Sequence, residues 1–325
     1  MISRRGFLKA SLAGGAVVMS PRSALQLLAS PMWSALSAPL LQVGPGEKLI
    51  TVLHTNDTHS QIDPLPANDG QYPDKGGVAR RATLVKRVRK ENPNTLLIDA
   101  GDVFQGTPYF NFYKGEVEYR SMSLIGYDVV TLGNHDFDNG VDALAAAMRF
   151  AKFDFVSSNY DVSGTPLARR VKPYVVRVVG GVRVGLFGLG VSPDNLITPE
   201  NFKGVQYNDP VKAASGVVRT LRERKRCTLV VAMSHLGYYP NGREGGIGDT
   251  QVAAQVDGID FIASGHTHTF MKQPVITKTP SGGNTIIFQV GRSGIYVGRV
   301  DLKLRAGKVI AAAGRLLDLR DESLG

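Results

Sequence analysis

The sequence predicts an α/β (α+β) fold in which two β-sheets pack together with helices outside them. Three observations carry that expectation. Short apolar runs alternate with amphipathic stretches over residues 49–156 and again over 210–263, the rhythm of strands followed by helices. Gly180-Gly181 separates two apolar runs, as a two-residue hairpin turn requires. Beyond Pro274 the helical stretches stop, and strand-like runs are divided by glycines.

In order, residues 49–54 read as a buried strand and 77–90 as a basic amphipathic helix. Strands are expected at 95–98, 128–132 and 153–156, with helices at 116–125 and 141–150 between them. The hairpin spans 174–179 and 182–186, followed by a helix at 210–226, a strand at 228–233, a helix at 249–256 and a strand at 259–263. Strands then follow at 275–277, 285–290, 296–304 and from 309 onward. The Pro- and Asp-rich stretch 61–75 reads as a loop beside the first polar motif. Neither a repeat nor a linker divides the chain after Leu49, so 46–320 is expected to be a single domain.

The first forty residues carry an address. Arg4 and Arg5 precede a weakly apolar Gly/Ala-rich stretch over 10–19, the layout of a twin-arginine export signal, and Ala35-Leu36-Ser37 is the best small-x-small cleavage site. The expected destination is the periplasm or cell envelope. The only membrane anchor expected is the signal itself, if uncleaved. Arg4, Arg5, Lys9 and Arg22 lie in this segment with no acid, so the remainder carries 34 bases against 28 acids, or +6 in place of +10. That mild excess suits a small anionic substrate. No basic cluster is interleaved with aromatics, so a nucleic-acid polymer is not expected as a partner. Cys227, the single cysteine, excludes an intrachain disulfide and reads as a buried strand residue.

Five of the six histidines fall in short polar motifs after apolar runs: Asp57-Thr58-His59, Gly133-Asn134-His135-Asp136, Ser234-His235 and Gly265-His266-Thr267-His268. A fifth motif, Gly101-Asp102, follows the strand at 95–98 in the same way. Open α/β sheets bind ligands outside the carboxyl ends of their strands, so these motifs are expected to converge. Carboxylate, amide oxygen and imidazole without thiolate suit zinc, manganese or iron. Asp102, in a tight glycine turn, is the expected bridge between two such ions. His54 lies inside a strand and reads as packing, and Asp136 is expected to hold its loop by accepting backbone N–H groups.

The ordered set 53–59, 76–80, 99–107, 133–138 and 265–268 resembles the calcineurin-like metallophosphoesterase superfamily, and specifically the catalytic domain of the 5′-nucleotidase family in single-domain exported form. The resemblance implies a four-layer sandwich of two mixed sheets flanked by helices. It implies one metal held by Asp57, His59, Asp102 and His268, and a second by Asp102, Asn134, His235 and His266. It also implies that Asn134, His135 and Asp138 are catalytic, the histidine oriented by the carboxylate so that it stabilises phosphoryl charge. The expected reaction is attack by metal-held hydroxide on a phosphomonoester, with a nucleotide as the expected substrate and nucleotide catabolism as the setting. Related readings of the same site are a cyclic phosphodiesterase, a thiosulfohydrolase-like enzyme, or an inactive metal-binding interaction protein. The family's C-terminal substrate domain is expected to be absent, with a separately encoded chain as the candidate to supply it.

Overall fold

The computed structural model describes residues 41–240 and 246–320, so the export signal and its cleavage site, expected within residues 1–40, lie outside the described residues. The chain runs through β1 (Glu47–Thr55), α1 (Val78–Glu91), β2 (Thr95–Asp99), α2 (Pro108–Tyr113), α3 (Glu116–Ile125), β3 (Val129–Val130), α4 (Gly140–Ala147) and β4 (Asp154–Val156). Next come β5 (Tyr160–Asp161), β6 (Val171–Lys172), the hairpin β7 (Tyr174–Val179) and β8 (Val182–Gly190), β9 (Gln206–Tyr207) and α5 (Pro210–Arg219). The rest comprises β10 (Leu229–His235), α6 (Asp249–Gln255), β11 (Phe261–Ser264), β12 (Val275–Lys278), β13 (Asn284–Phe288), β14 (Tyr296–Arg305) and β15 (Lys308–Asp318).

Two mixed sheets result, ordered β15-β14-β1-β2-β3-β4-β6 and β12-β13-β11-β10-β8-β7, beside a short β5-β9 ribbon. In the first, β1, β2, β3, β4 and β6 are parallel, while β14 and β15 are antiparallel additions at one edge. In the second, β13, β11, β10 and β8 are parallel and the antiparallel β12 and β7 close the two edges. Alternation along each strand sorts its side chains into layers. Ile50, Val52 and Ile98 of the first sheet meet Val184, Val231 and Phe261 of the second in one core. Leu53, Leu97 and Phe155 turn outward onto Leu84, Tyr119 and Leu144 of the helices over the first sheet. Phe187, Val230 and Ile262 turn outward onto Val217 of α5 and Val252 of α6. Parallel strands covered on both faces explain why these runs are apolar throughout. The order is helix, sheet, sheet, helix.

Local signals act where expected. Gly180 and Gly181 both take positive φ, 55° and 72°, and pair Val179 with Val182 across the tight turn. Asp209 accepts the Lys212 N–H and Pro210 occupies the first turn of α5. Two expected elements are shorter than their apolar runs. The strand expected at 128–132 is reduced to Val129–Val130: the Asp128 carboxylate takes the Leu97 N–H at 2.8 Å, while the Asp128 and Thr131 N–H groups still reach the Leu97 and Asp99 carbonyls at 2.8 and 3.0 Å. The helix expected to reach residue 226 widens into a π-turn over Thr220–Arg224, where Thr220 Oγ1 back-bonds to the Gly216 carbonyl at 3.1 Å. His54 packs between the sheets with its ring edge-on to Phe261 and Phe288, at 5.6 and 5.3 Å. Cys227 is buried and unpaired.

Candidate metal centre

All five polar motifs sit at the carboxyl ends of parallel strands, three in the first sheet (β1, β2, β3) and two in the second (β10, β11). Ligand atoms meet in two groups, Asp57 with His59 and His268, and Asp102 with His235 and His266, the atoms of each lying within 4.8 Å of one another. Asp57 Oδ1 is 3.3 Å from His268 Nε2 and 3.9 Å from Nε2 of both His59 and His235. Asp102 Oδ2 is 3.0 Å from His235 Nε2 without the alignment of a hydrogen bond. His59 Nε2 and His268 Nε2 face each other at 3.0 Å, a distance at which two imidazole nitrogens need a proton or a cation between them.

The far nitrogens are already occupied. Nδ1 of His235 lies 2.8 Å from the Ala100 carbonyl oxygen and Nδ1 of His59 lies 3.2 Å from that of Phe104. Each carbonyl accepts from Nδ1–H, which assigns the tautomer that leaves Nε2 free to bind a cation. Asn134 is 2% exposed, and its Oδ1 has no hydrogen-bond partner among the described residues. Such a buried acceptor costs about 1–3 kcal/mol, which a cation would offset. The donor set therefore fits a pair of divalent cations.

Space at the centre comes from glycine. A Cβ on Gly133 would run into Asp102 Oδ1 and lie 2.7 Å from His235 Nε2; one on Gly265 would lie 2.9 Å from His235 Nδ1 and 3.2 Å from Asp57 Oδ2. Five of the seven expected ligands adopt positive φ: Asp57 (49°), His59 (47°), Asp102 (56°), His266 (70°) and His268 (53°). Each such residue costs about 1 kcal/mol or more, and strain of this kind concentrates where geometry serves a site.

Hydrogen bonds behind the ligands hold these turns. The Asp57 carboxylate accepts the His266 N–H at 2.9 and 3.1 Å and the Asn56 amide at 2.7 Å. Asn56 in turn donates to the Gly291 carbonyl at 2.6 Å and accepts the Val290 N–H at 3.1 Å. Asp136 accepts backbone N–H groups from Asp102 (3.1 Å), Val103 (3.0 Å), Phe104 (3.3 Å) and Gly133 (2.8 Å), the loop-holding arrangement expected of it. The His135 N–H donates to Asp102 Oδ1 at 2.8 Å, and its Nδ1 lies 3.0 Å from Asp138 Oδ2. His135 and Asp138 are part-exposed, and the His135 ring stands 5.5 Å from that of His59.

The electrostatics favour positive charge at the centre. Burial opposes ionisation of Asp102, yet His235, with His59 and His135 behind it, holds the carboxyl well below the usual range. Burial likewise opposes a charge on His235, but Asp102 and Asp57 outweigh it and push the imidazole up to about 10. Burial lowers His266 to about 4, and it also lowers His59. The hydrogen bond from Asp138 raises His135. A proton on His235 occupies the position a cation would take.

Two residues that shape the site had no motif to reveal them. Gln289 is fully buried; it donates to Ser264 Oγ (2.7 Å) and the Gly265 carbonyl (2.5 Å), and accepts from Thr267 Oγ1 (3.1 Å) and the Thr269 N–H. It thereby holds the turn carrying His266 and His268. Arg292 lines a cleft of about 560 Å³ shared with His59, His135 and His268. A lone Gln or Arg near a strand end has no periodic or spacing signature.

The chain matches the family model described as calcineurin-like phosphoesterase over residues 50–270, and residues 1–21 match the twin-arginine translocation pathway signal sequence, which indicates export by that route. The chain is 33% identical over 311 residues to the rat (Rattus norvegicus) 5′-nucleotidase, a match covering 88% of this chain and 52% of the relative. It is 31% identical over 285 residues to the trifunctional nucleotide phosphoesterase protein YfkN of Bacillus subtilis (strain 168), covering 78% of this chain and 18% of that one. The crystal structure of the 5′-nucleotidase precursor from Thermus thermophilus superposes with a TM-score of 0.76 at 35% identity, over 83% of this chain and 54% of that one. The chain thus spans about half the length of two of these relatives and less of the third. With a family match over more than half of its residues, the chain belongs to the calcineurin-like phosphoesterases.

Proposed function

We propose that this chain is a two-metal phosphomonoesterase of 5′-nucleotidase type. The observation that carries the reading is the pair of ligand groups, each drawn from both sheets, beside the buried and unpartnered Asn134 oxygen. Asp57, His59, Asp102 and His268 would hold one cation, and Asp102, Asn134, His235 and His266 the other. Zinc, manganese and iron all suit this donor set. When bound, two such cations supply water activation and neutralisation of phosphoryl charge. We assign Asp102 as the shared carboxylate: it is buried in a tight glycine turn, and its Oδ2 lies 3.0 Å from His235 Nε2.

The chain's own groups do the rest. His135, held through Nδ1 by Asp138 at 3.0 Å, lines the cleft, where its Nε2 can donate a hydrogen bond to a phosphoryl oxygen or a proton to the leaving oxygen. The Asp138 hydrogen bond raises the histidine and so favours the protonated, donating form. Asn134 orients the phosphoryl group as well as serving the second cation. The deciding experiment pairs metal analysis of the purified protein with a panel of AMP, a cyclic nucleotide, a sugar phosphate and a protein-bound thiosulfonate. Two metals per chain and preferential AMP hydrolysis are expected; turnover confined to the cyclic nucleotide or the thiosulfonate would refute the assignment.

A further inference from the structure

The loop Gly291–Gly294 links the end of the second sheet to the start of β14. Its backbone is fastened to the first ligand motif. The Gly291 carbonyl accepts from Asn56, and the Ser293 N–H donates to the Asp57 carbonyl at 2.7 Å. Gly291, Ser293 and Gly294 all take positive φ, at 81°, 57° and 58°, so Arg292 sits between left-handed residues in a turn of fixed shape. Phe270 packs on Gly291 and stacks with Tyr72 at 5.2 Å, bracing the loop from the other side. Ser293 is strained in this conformation, as the candidate ligands are.

The product of this bracing is the placement of one cation. Arg292 is exposed, and its guanidinium is engaged by no hydrogen bond or ion pair among the described residues. It lines the same cleft as His59, His135 and His268. Asp69 lines the same cleft, and the N–H groups of Tyr72 (2.6 Å) and Gln71 (2.9 Å), with a smaller contribution from the charge of Arg292, hold its carboxyl below the usual range; Arg292 forms no ion pair with it within 4 Å. A volume of about 560 Å³ is that of a pocket for a whole small molecule, so it has room for the leaving group beyond the phosphoryl being transferred. The groups assigned to the phosphoryl itself lie at the metal centre. Arg292 stands on the wall that the remainder of the substrate would meet.

We infer that Arg292 is a specificity-determining residue, selecting phosphomonoesters whose leaving group carries a second anionic group, a phosphate or a carboxylate. The inference rests on the phosphoester reading above and adds to it a substrate class. A guanidinium offers paired donors matched to either anion, and a charge-assisted hydrogen bond in a partly closed cleft corresponds to about tenfold in affinity. Two pairs of compounds differ chiefly in the second anion: 3-phosphoglycerate against glycerol 3-phosphate, and adenosine 3′,5′-bisphosphate against AMP. For Arg292→Gln in the metal-loaded protein, the KM ratio within each pair is expected to shift about tenfold against the doubly anionic member, with kcat following no such split. Arg292→Lys should restore part of the preference. A shift in the glycerate pair alone assigns a carboxylate, and one in the nucleotide pair alone assigns a phosphate. An equal change for both members of both pairs, or no change, overturns the inference. Should the wild type hydrolyse none of the four, the phosphoester reading fails. Calorimetric binding of the same pairs to wild type and Arg292→Gln then decides the Arg292 question separately, an unchanged ratio overturning it.

Discussion

His54 offers a test of the inter-sheet core with a sign and a size. Its ring is fully buried between Phe261 and Phe288, both nitrogens lack hydrogen-bond partners among the described residues, and burial lowers its pKa from 6.5 to about 3. The folded state thus favours the neutral ring, and the unfolded chain takes up a proton first as pH falls. The stability tied to neutral His54 is fully present above about pH 6.5 and is lost as pH falls towards 3. At 1.36 kcal/mol per pKa unit, the loss relative to about pH 7.5 amounts to about 1 kcal/mol near pH 5.5 and about 3 kcal/mol near pH 4.5. His54→Leu keeps an apolar side chain of similar volume and removes the titration. The assay is urea unfolding of chelator-stripped wild type and variant across this range. Subtracting the two curves cancels the other buried acids, among them Asp99, Asp136 and Asp249, each raised by burial to about 7. The variant should gain on the wild type by those amounts as pH falls. Parallel curves would show that the folded protein accepts a proton on His54 as readily as the unfolded chain does, and would refute the reasoning.

Four further outcomes follow from the centre. His135→Ala should lower kcat by about 10²–10⁴ with metal content unchanged, whereas loss of metal in that variant would place the histidine among the ligands. Asp102→Asn should reduce metal content, measured by plasma emission, from about two per chain to below one, while His268→Ala removes no more than one; two metals retained by the Asp102 variant would refute the bridging assignment. Gly133→Ala should abolish metal binding, since the added methyl runs into Asp102 Oδ1, yet leave the far-ultraviolet dichroism close to wild type. Chelator treatment should lower the thermal midpoint and zinc or manganese should restore it, because a ligand present at about a thousand times its Kd stabilises the folded state by about 4 kcal/mol; a midpoint indifferent to metal would contradict the cation-pair reading.

The centre was legible in the sequence to the extent that it is written in short polar motifs after apolar runs. Asp57-Thr58-His59 and Gly265-His266-Thr267-His268 stand out because each sets several metal-ligating residue types directly after a buried apolar strand. His235 is different. It is the last residue of β10 itself, in a run whose burial is continuous, so the motif alone could not separate it from a packed core histidine such as His54. What the sequence could not convey is backbone conformation. Nothing in the letters at Asp57, Asp102 or His268 announces a left-handed residue, because that shape comes from loops clasping each other across the sheets. The ribbon β5-β9 and strand β6 escaped notice for a simpler reason: two residues give no period to read.

The division of each ligand group between the two sheets has a consequence for the life of the protein. Asp57, His59 and Asp102 come early in the chain, while His235, His266 and His268 arrive more than a hundred residues later from the other sheet. Half a sandwich can hold neither cation. With both groups serving as proposed, metal occupancy would be a record of completed folding. A route that exports finished proteins would receive this chain either already charged with metal or with a closed, waiting socket, and never with a site that had filled before its second wall was built.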